Sequence, residues 1–136
     1  MENLRIIEFR GKTIHNEWHF GDLWQIYDEE KNRNIGVIIP HNTDFNDVNF
    51  DFVVLPKTIG QFTGLCDKHD NRIYEGDIIR HVYSLKKEEN GQWVDNAETF
   101  LVEFDKGRFN ISHLCEVTNR IEILGNKFDN PELLKV

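Results

Sequence analysis

The chain has 136 residues, 39% of them hydrophobic and 12% aromatic, which is typical of one compact unit or of two small lobes that share a core. No apolar run approaches the roughly 18 residues that span a bilayer, and the first residues lack the basic start and apolar stretch of a signal peptide, so we expect a cytosolic protein. The 24 acidic and 16 basic residues give a net charge of −8, spread evenly along the chain, which disfavours direct binding to nucleic acid.

Apolar side chains alternate with a period of two along the first half of the chain, which predicts β-strands. Ile7 and Phe9 are expected on one face of a first strand, and Phe50 and Phe52 on one face of a later one. The apolar parity of the second strand changes at Gly21, which predicts a β-bulge or a bend there. The strands expected in this half cover residues 4–10, 17–27, 35–39 and 48–54.

The second half continues in short strands joined by turns. Asp105, Lys106 and Gly107 predict a tight hairpin, because glycine adopts the positive φ that such a loop needs. Asn130 as N-cap and Pro131 as the first helical residue predict a short C-terminal helix. The strands expected here cover residues 78–84, 99–105, 108–112 and 121–124.

These patterns predict an all-β fold, because roughly eight or nine short strands at regular turn spacing are typical of small barrels and sandwiches. We expect a small antiparallel meander subdomain at residues 1–57. A small barrel-like (SH3-like) subdomain is expected at residues 58–136, and the short helix ends it.

Several motifs occur in an order that resembles the YopX family, which is found largely in phages, prophages and their bacterial hosts. They read Phe-Arg-Gly-Lys at residues 9–12, Gly-Gln-Phe-Thr-Gly-Leu at 60–65 and Tyr-Glu-Gly-Asp-Ile at 74–78, and the resemblance covers nearly the whole chain. The residues that carry it are Arg10, Gly11, Lys12, Gly60, Gln61, Thr63, Gly64, Asp67, Tyr74, Glu75, Gly76, Asp77, Gly125, Asn126, Asn130 and Pro131.

The resemblance implies an all-β protein with a small N-terminal part, a barrel-like C-terminal part and a tendency to self-associate. It supplies no catalytic residue. The chain departs from the family pattern after Leu65, where a lysine-type residue and an Asn-Gly turn are more typical than Cys66 and the segment at residues 68–71.

Two carboxylates lie two residues apart at Glu75 and Asp77. Such a pair could bind a divalent cation or act as acid and base. The alternative is a turn that leads into a strand, in which Gly76 gives the backbone freedom and Asp77 accepts hydrogen bonds of the turn. We favour the turn, because no partner in a cleft can be assigned from the sequence.

Two cysteines and two histidines have the only spacings that suggest a metal, and together they could form a tetrahedral zinc site. The order Cys-x-x-His and then His-x-Cys is not a common zinc-knuckle spacing, so we favour free thiols in a reducing compartment and expect no metal and no cofactor. A cysteine nucleophile is disfavoured, because nothing marks either thiol as activated. The four residues are Cys66, His69, His113 and Cys115.

Aromatic residues cluster between residues 18 and 27 and could stack on bases. Because no basic groove accompanies Trp18, Phe20, Trp24 and Tyr27, we expect them to fill a core and an oligomer interface instead. Trp24 and Trp93 lie beside polar loops and are the expected surface anchors.

The sequence therefore favours a non-enzymatic interaction or assembly module of a phage or an integrated element. We expect it to self-associate or to bind a host or phage protein, without direct contact to nucleic acid or membrane. One alternative is an accessory protein of nucleic-acid processing that acts through protein partners. Another is a small metal-dependent hydrolase built on Glu75, Asp77 and the histidine and cysteine set.

Overall fold

A computed structural model describes residues 4–115 and 118–134, and its strands are distributed between Phe9 and Asn126. The strands are β1 (Phe9–Lys12), β2 (Trp18–Asp28), β3 (Arg33–Ile39), β4 (Val53–Val54), β5 (Gly60–Cys66), β6 (Arg72–Tyr74), β7 (Asp77–Lys87), β8 (Trp93–Leu101), β9 (Phe104–Asp105), β10 (Arg108–Phe109) and β11 (Ile121–Asn126).

The all-β class predicted from the sequence is confirmed. Helical structure in the described residues is limited to 3₁₀ helices of three or four residues, and the C-terminal one, Pro131–Leu134, lies where a short helix was predicted. The described strands pair in antiparallel sheets that do not close into a barrel. Within the same residues, no helix combines the length and the apolar composition that crossing a membrane requires.

The chain divides by its contacts into two compact units, Met1–Phe62 and Thr63–Val136. Strand β5 begins in the first unit and ends in the second. The subdomain boundary that the sequence places between residues 57 and 58 stays a prediction.

The first unit contains an antiparallel sheet in the order β4-β3-β2-β1-β5. The long strand β2 pairs with β1 up to Gly21 and with β3 from Asp22 onward. Gly21 has a φ of +154°, and a Cβ there would lie 2.0 Å from the carbonyl oxygen of Ile39. The change of pairing partner therefore occurs where the apolar parity changes in the sequence, and only glycine fits the close approach.

Two predictions about strand faces in this unit are wrong. Phe50 lies in a 3₁₀ helix, Phe50–Phe52, and is 89% exposed, because the side chain of Asn49 accepts a hydrogen bond from the backbone N–H of Asp51 and starts that helix. Ile7 is exposed and Phe9 only partly buried, whereas the charged residues of the opposite parity in β1 are buried.

The second unit contains a three-stranded antiparallel sheet in the order β11-β7-β8 and a short hairpin of β9 and β10. One face of the sheet packs into an apolar core, which is completed by side chains that follow β8 and β10. Burial of such aliphatic side chains is the main stabilising contribution to a unit of this size. The buried members of the core are Ile73, Ile79, Val102, Ile111, Leu114 and Ile121.

Strands β7 and β8 are longer than the sequence predicted. The prediction ended one strand at Ser84 and began the next at Thr99, but the ladder continues to the pair Lys87 and Trp93. A hydrogen bond from the backbone N–H of Gly91 to the carbonyl of Glu88 closes the loop between them. The Asn-Gly pair in this loop is a strong hairpin signal that the charged residues around it obscured.

Candidate functional site

The first motif, in β1, places two cations around one indole ring. The guanidinium carbon of Arg10 lies 4.8 Å from the ring centroid of Trp18, and the Nζ atom of Lys12 lies 5.5 Å from it. Lys12 is directly opposite Trp18 in the β1–β2 ladder, and Gly11 separates the two cations. Both cationic side chains are buried, so the motif stabilises the sheet of the first unit from inside.

The start of β5 joins this arrangement through backbone pairing. Gly60 is opposite Arg10, and Gln61 is opposite Phe9. The backbone N–H of Lys12 donates to the hydroxyl of Thr58 at 2.8 Å, which anchors the chain two residues before β5. These motif residues fix the register of the sheet.

Thr63 and Gly64 form the part of the motif that lies in the second unit. The hydroxyl of Thr63 donates to the carbonyl of Ile73 at 2.8 Å and accepts from the backbone N–H of Leu65 at 3.2 Å. Gly64 has a φ of +91°, a conformation that residues with a Cβ rarely adopt. The hydroxyl thus connects β5 to β6 beside a backbone conformation that favours glycine.

The segment from Tyr74 to Asp77 is a turn held by a buried carboxylate. The Oδ2 atom of Asp77 accepts a hydrogen bond from the backbone N–H of Tyr74 at 2.8 Å, and the residue is only 2% exposed. The backbone of Gly76 donates to Val102 and accepts from Lys127. The turn hydrogen bond expected of Asp77 is therefore present, and Glu75, half-buried, lies within this turn between β6 and β7.

Asp67 holds the turn after β5 against strand β11. Its carboxylate accepts hydrogen bonds from the backbone N–H groups of His69 and Asn71, both at 2.9 Å, and of Ile123 at 3.2 Å. Burial alone would raise the pKa of Asp67, but the three backbone donors outweigh it and lower that pKa below its ordinary value. The carboxylate is consequently ionised whenever the fold is intact near neutral pH.

The last motif closes the chain after β11. The Oδ1 atom of Asn126 accepts from the backbone N–H groups of Phe128 and Asp129, and the Oδ1 atom of Asn130 accepts from the backbone of Asn126 at 3.2 Å. The carbonyl of Asn130 accepts from Leu133 in the helix that starts at Pro131. Gly125 lies at the irregularity of the β11–β7 ladder. The side chains of Asn126 and Asn130 thus fix the backbone of the turn between β11 and the C-terminal 3₁₀ helix.

The candidate zinc ligands do not come together. Cys66 ends β5, His69 lies in the turn that follows, His113 lies in a 3₁₀ helix, Ser112–Leu114, and Cys115 is exposed directly after it. No group of three or more possible metal ligands exists among residues 4–115 and 118–134. Burial and the nearby carboxylate of Asp70 raise the pKa of the Cys66 thiol, which is the opposite of what an activated nucleophile needs.

The aromatic cluster of β2 is more exposed than predicted. Phe20 and Tyr27 are exposed, so these two rings do not fill a core, and their expected place in an oligomer interface stays a prediction. Trp24 and Trp93 are exposed, as surface anchors would be. Trp18 is half-buried and holds the two cations of β1.

The most exposed apolar surface of the second unit lies on the end of the β7–β8 hairpin, residues 83–95, here called the β7–β8 arm. Every residue of the arm is exposed except Ser84, which is half-buried. Four large apolar side chains lie on it, with Leu85 60% and Trp93 64% exposed beside Tyr83 and Val94. The arm is a solvent-exposed ribbon with an unusual share of apolar side chains, and sequence reasoning missed it because it placed a loop there.

An open groove of about 570 Å³ lies along the base of the arm. Its floor contains Val82, Tyr83 and Leu85, and its sides carry two ion pairs. The Nζ atom of Lys68 is 3.4 Å from a carboxylate oxygen of Glu122, and a guanidinium nitrogen of Arg80 is 3.4 Å from one of Asp95. Because these side chains are partly solvated, the pairs contribute little to stability, but they neutralise charge beside the apolar floor.

The fold and these contacts define an all-β protein in which several motif residues hold backbone segments in place and a hairpin carries exposed apolar side chains. The family model described as YopX protein matches residues 8–135, and the chain belongs to the YopX family. The resemblance found in the sequence is thereby confirmed.

One solved structure is similar to this chain over nearly its full length. It is the crystal structure of protein EF1440 from Enterococcus faecalis, with 24% sequence identity and a TM-score of 0.53 over 96% of this chain and 99% of that chain. At this identity the likeness supports the fold alone. The curated proteins contain no match to the chain.

Proposed function

We propose that this YopX-family protein is a non-enzymatic, cytosolic assembly module of a phage or prophage, and that it self-associates through the β7–β8 arm. The observation that carries the proposal is the grouping of Tyr83, Leu85, Trp93 and Val94 on one exposed hairpin. Leu85 and Trp93 share one face of this ribbon and Val94 lies on the other. Exposed apolar side chains that are grouped on a protein surface typically mark sites of association.

The position of β8 supports the same proposal. In the described part of the chain, β8 lies at the end of its sheet and pairs with β7 only. An edge strand offers backbone groups to another strand, except at Leu101, whose carbonyl already accepts a hydrogen bond from the Nδ2 atom of Asn110. Covering this edge would remove the open backbone of β8 and the side chains of Trp93 and Val94 from water.

The enzymatic alternative gains no support from the site residues. The carboxylate of Asp77 is buried and accepts a backbone hydrogen bond, and the four cysteine and histidine residues lie apart. A role in nucleic-acid processing through a protein partner would use the same arm, with a host or phage protein in place of the second copy.

Light scattering coupled to gel filtration tests the proposal over a wide range of protein concentration. We expect the native chain to reach at least twice its 16.1 kDa mass. A Leu85→Glu/Trp93→Glu double variant should remain at the single-chain mass, because it places charge on the arm.

The matched control is Ile14→Glu, which changes an apolar residue that is 75% exposed but lies in the first unit. This control should associate like the native chain. A native chain of single-chain mass at every concentration, or a double variant that still associates, would overturn the proposal. Stable capture of a host or phage protein by a native chain that stays single would favour the partner alternative.

A further inference from the structure

We propose that the second copy binds edge to edge along β8, antiparallel, about a twofold axis at Ala97. This inference rests on the proposed self-association and names the surface that performs it. The starting observation is that Ala97 is the middle residue of the nine-residue strand Trp93–Leu101. Pairing centred there places residues 95–99 of both copies in backbone register, since the carbonyl of Leu101 already accepts a hydrogen bond from the Nδ2 atom of Asn110. A symmetric dimer requires such a self-complementary patch.

The charges along β8 select this register over its neighbours. A ladder centred on Asp95 or on Glu98 would place a carboxylate directly opposite its own copy, which is destabilising in an antiparallel pair. A ladder centred on Asn96 would place Glu98 opposite an apolar residue, the partner's Val94. The ladder centred on Ala97 has neither fault.

In the selected register, both acidic residues meet neutral hydrogen-bond donors. Glu98 lies opposite the partner's Asn96, and Asp95 lies opposite the partner's Thr99. Each carboxylate also has a cationic or imidazole neighbour within its own chain, since Asp95 is 3.4 Å from Arg80 and Glu98 is 3.3 Å from the Nδ1 atom of His81. The acidic edge is therefore partly neutralised before a second acidic chain approaches it.

The apolar residues of the strand also become paired in this register. Trp93 lies opposite the partner's Leu101, and Val94 lies opposite the partner's Phe100. Twofold symmetry repeats both pairs, so that four apolar contacts flank the small central pair of alanines. Trp93 is the most exposed apolar residue of the arm, and it lies at the end of the ladder, opposite the partner's Leu101.

Single-cysteine cross-linking tests the register directly. The background carries Cys66→Ser and Cys115→Ser, so that the introduced residue is the only thiol. In that background, Ala97→Cys should form a disulfide-linked dimer under mild oxidation, because directly opposite Cβ atoms lie within reach of a disulfide. Asn96→Cys and Glu98→Cys should each fail alone, because their own copies lie diagonally, but the two mixed together should cross-link.

A Glu29→Cys variant, exposed in the first unit, measures cross-linking by chance collision. The β8 register would be overturned if light scattering shows a dimer but cross-linking is equal at all positions, absent at all of them, or efficient with Asn96→Cys or Glu98→Cys alone. Each of these results would leave the proposed self-association standing. A native chain that never exceeds the single-chain mass would overturn both.

Discussion

The carboxylate of Asp67 accepts a hydrogen bond from the backbone N–H of Ile123, which is 56 residues further along the chain. The same side chain accepts two hydrogen bonds within its own turn. A second contact runs alongside, since the backbone N–H of Lys68 donates to the carbonyl of Ile121 at 2.9 Å. One carboxylate therefore fixes a local turn and holds that turn beside strand β11.

We expect Asp67→Asn to lower the free energy of unfolding by about 1–3 kcal/mol at neutral pH, because backbone donors lose a charged acceptor inside the fold. Urea denaturation followed by circular dichroism measures the loss. The control is Glu89→Gln, which removes the same charge from an exposed position in the hairpin loop and should leave the stability unchanged.

The pH dependence of this effect has a defined sign. Because the pKa of Asp67 is lowered in the folded state, its stabilising contribution is present above the ordinary aspartate value of about 3.9 and is lost as the pH falls through the folded-state pKa. The stability difference between the native chain and Asp67→Asn should therefore shrink on acidification. A difference that grows at low pH would contradict this role.

Substitutions at Gly64 test the backbone requirement for glycine without an effect of packing. Its φ is +91°, and a Cβ added there would have no atom within 4 Å. We expect Gly64→Val to destabilise the fold by about 1–3 kcal/mol, because a β-branched residue resists positive φ. Gly64→Asn should cost less, because asparagine tolerates that region better. Thermal melts of the variants provide the measurement, and equal melting temperatures for all three chains would show that the backbone does not require glycine here.

Period-two alternation was enough to predict the fold class, although the adjacent residues Ile78 and Ile79 of β7 are both fully buried, so that strand does not bury one parity alone. It failed where a polar side chain organised the backbone locally, as Asn49 does before Phe50. It failed again in β1, where the cations of the Phe-Arg-Gly-Lys motif are buried against Trp18 and the apolar residue Ile7 is exposed. Hydrophobicity alone cannot identify a buried cation whose partner is an aromatic ring on the next strand.

The candidate interaction surface was hidden from the sequence for a different reason. Apolar and polar residues alternate only weakly along the arm, and the charged residues around Lys86 and Glu88 at its tip are typical of a loop. The strand pairing that places Leu85 and Trp93 on one face of the hairpin arises from the continuing ladder between β7 and β8. A register of this kind depends on two distant segments and cannot be read from either one.

The cation–π arrangement in the first unit predicts an energetic coupling between Arg10 and Trp18. In a double-mutant cycle of Arg10→Met and Trp18→Leu, we expect a coupling of about 0.5–2 kcal/mol, because the guanidinium is desolvated over the ring. Denaturant unfolding of the four chains gives the coupling. A parallel cycle with Lys31→Met, an exposed cation in a loop of the same unit, should give none. Equal coupling free energies in the two cycles would show that no specific cation–π interaction joins Arg10 and Trp18.

The reactivity of Cys66 should respond in opposite directions to two neighbouring charges. Burial and the carboxylate of Asp70 raise the pKa of its thiol, whereas the guanidinium of Arg72 lowers it. Only the thiolate is alkylated, so a higher pKa means a slower reaction at a given pH.

In a Cys115→Ser background, we therefore expect Asp70→Asn to speed the alkylation of Cys66 by iodoacetamide and Arg72→Gln to slow it. The rate profile against pH should shift to lower pH in the first variant and to higher pH in the second. Glu89→Gln again serves as the distant charge control and should leave the profile in place. If both neighbouring variants instead accelerate the reaction, the thiol is controlled by exposure upon loosening of the turn, and the electrostatic explanation fails.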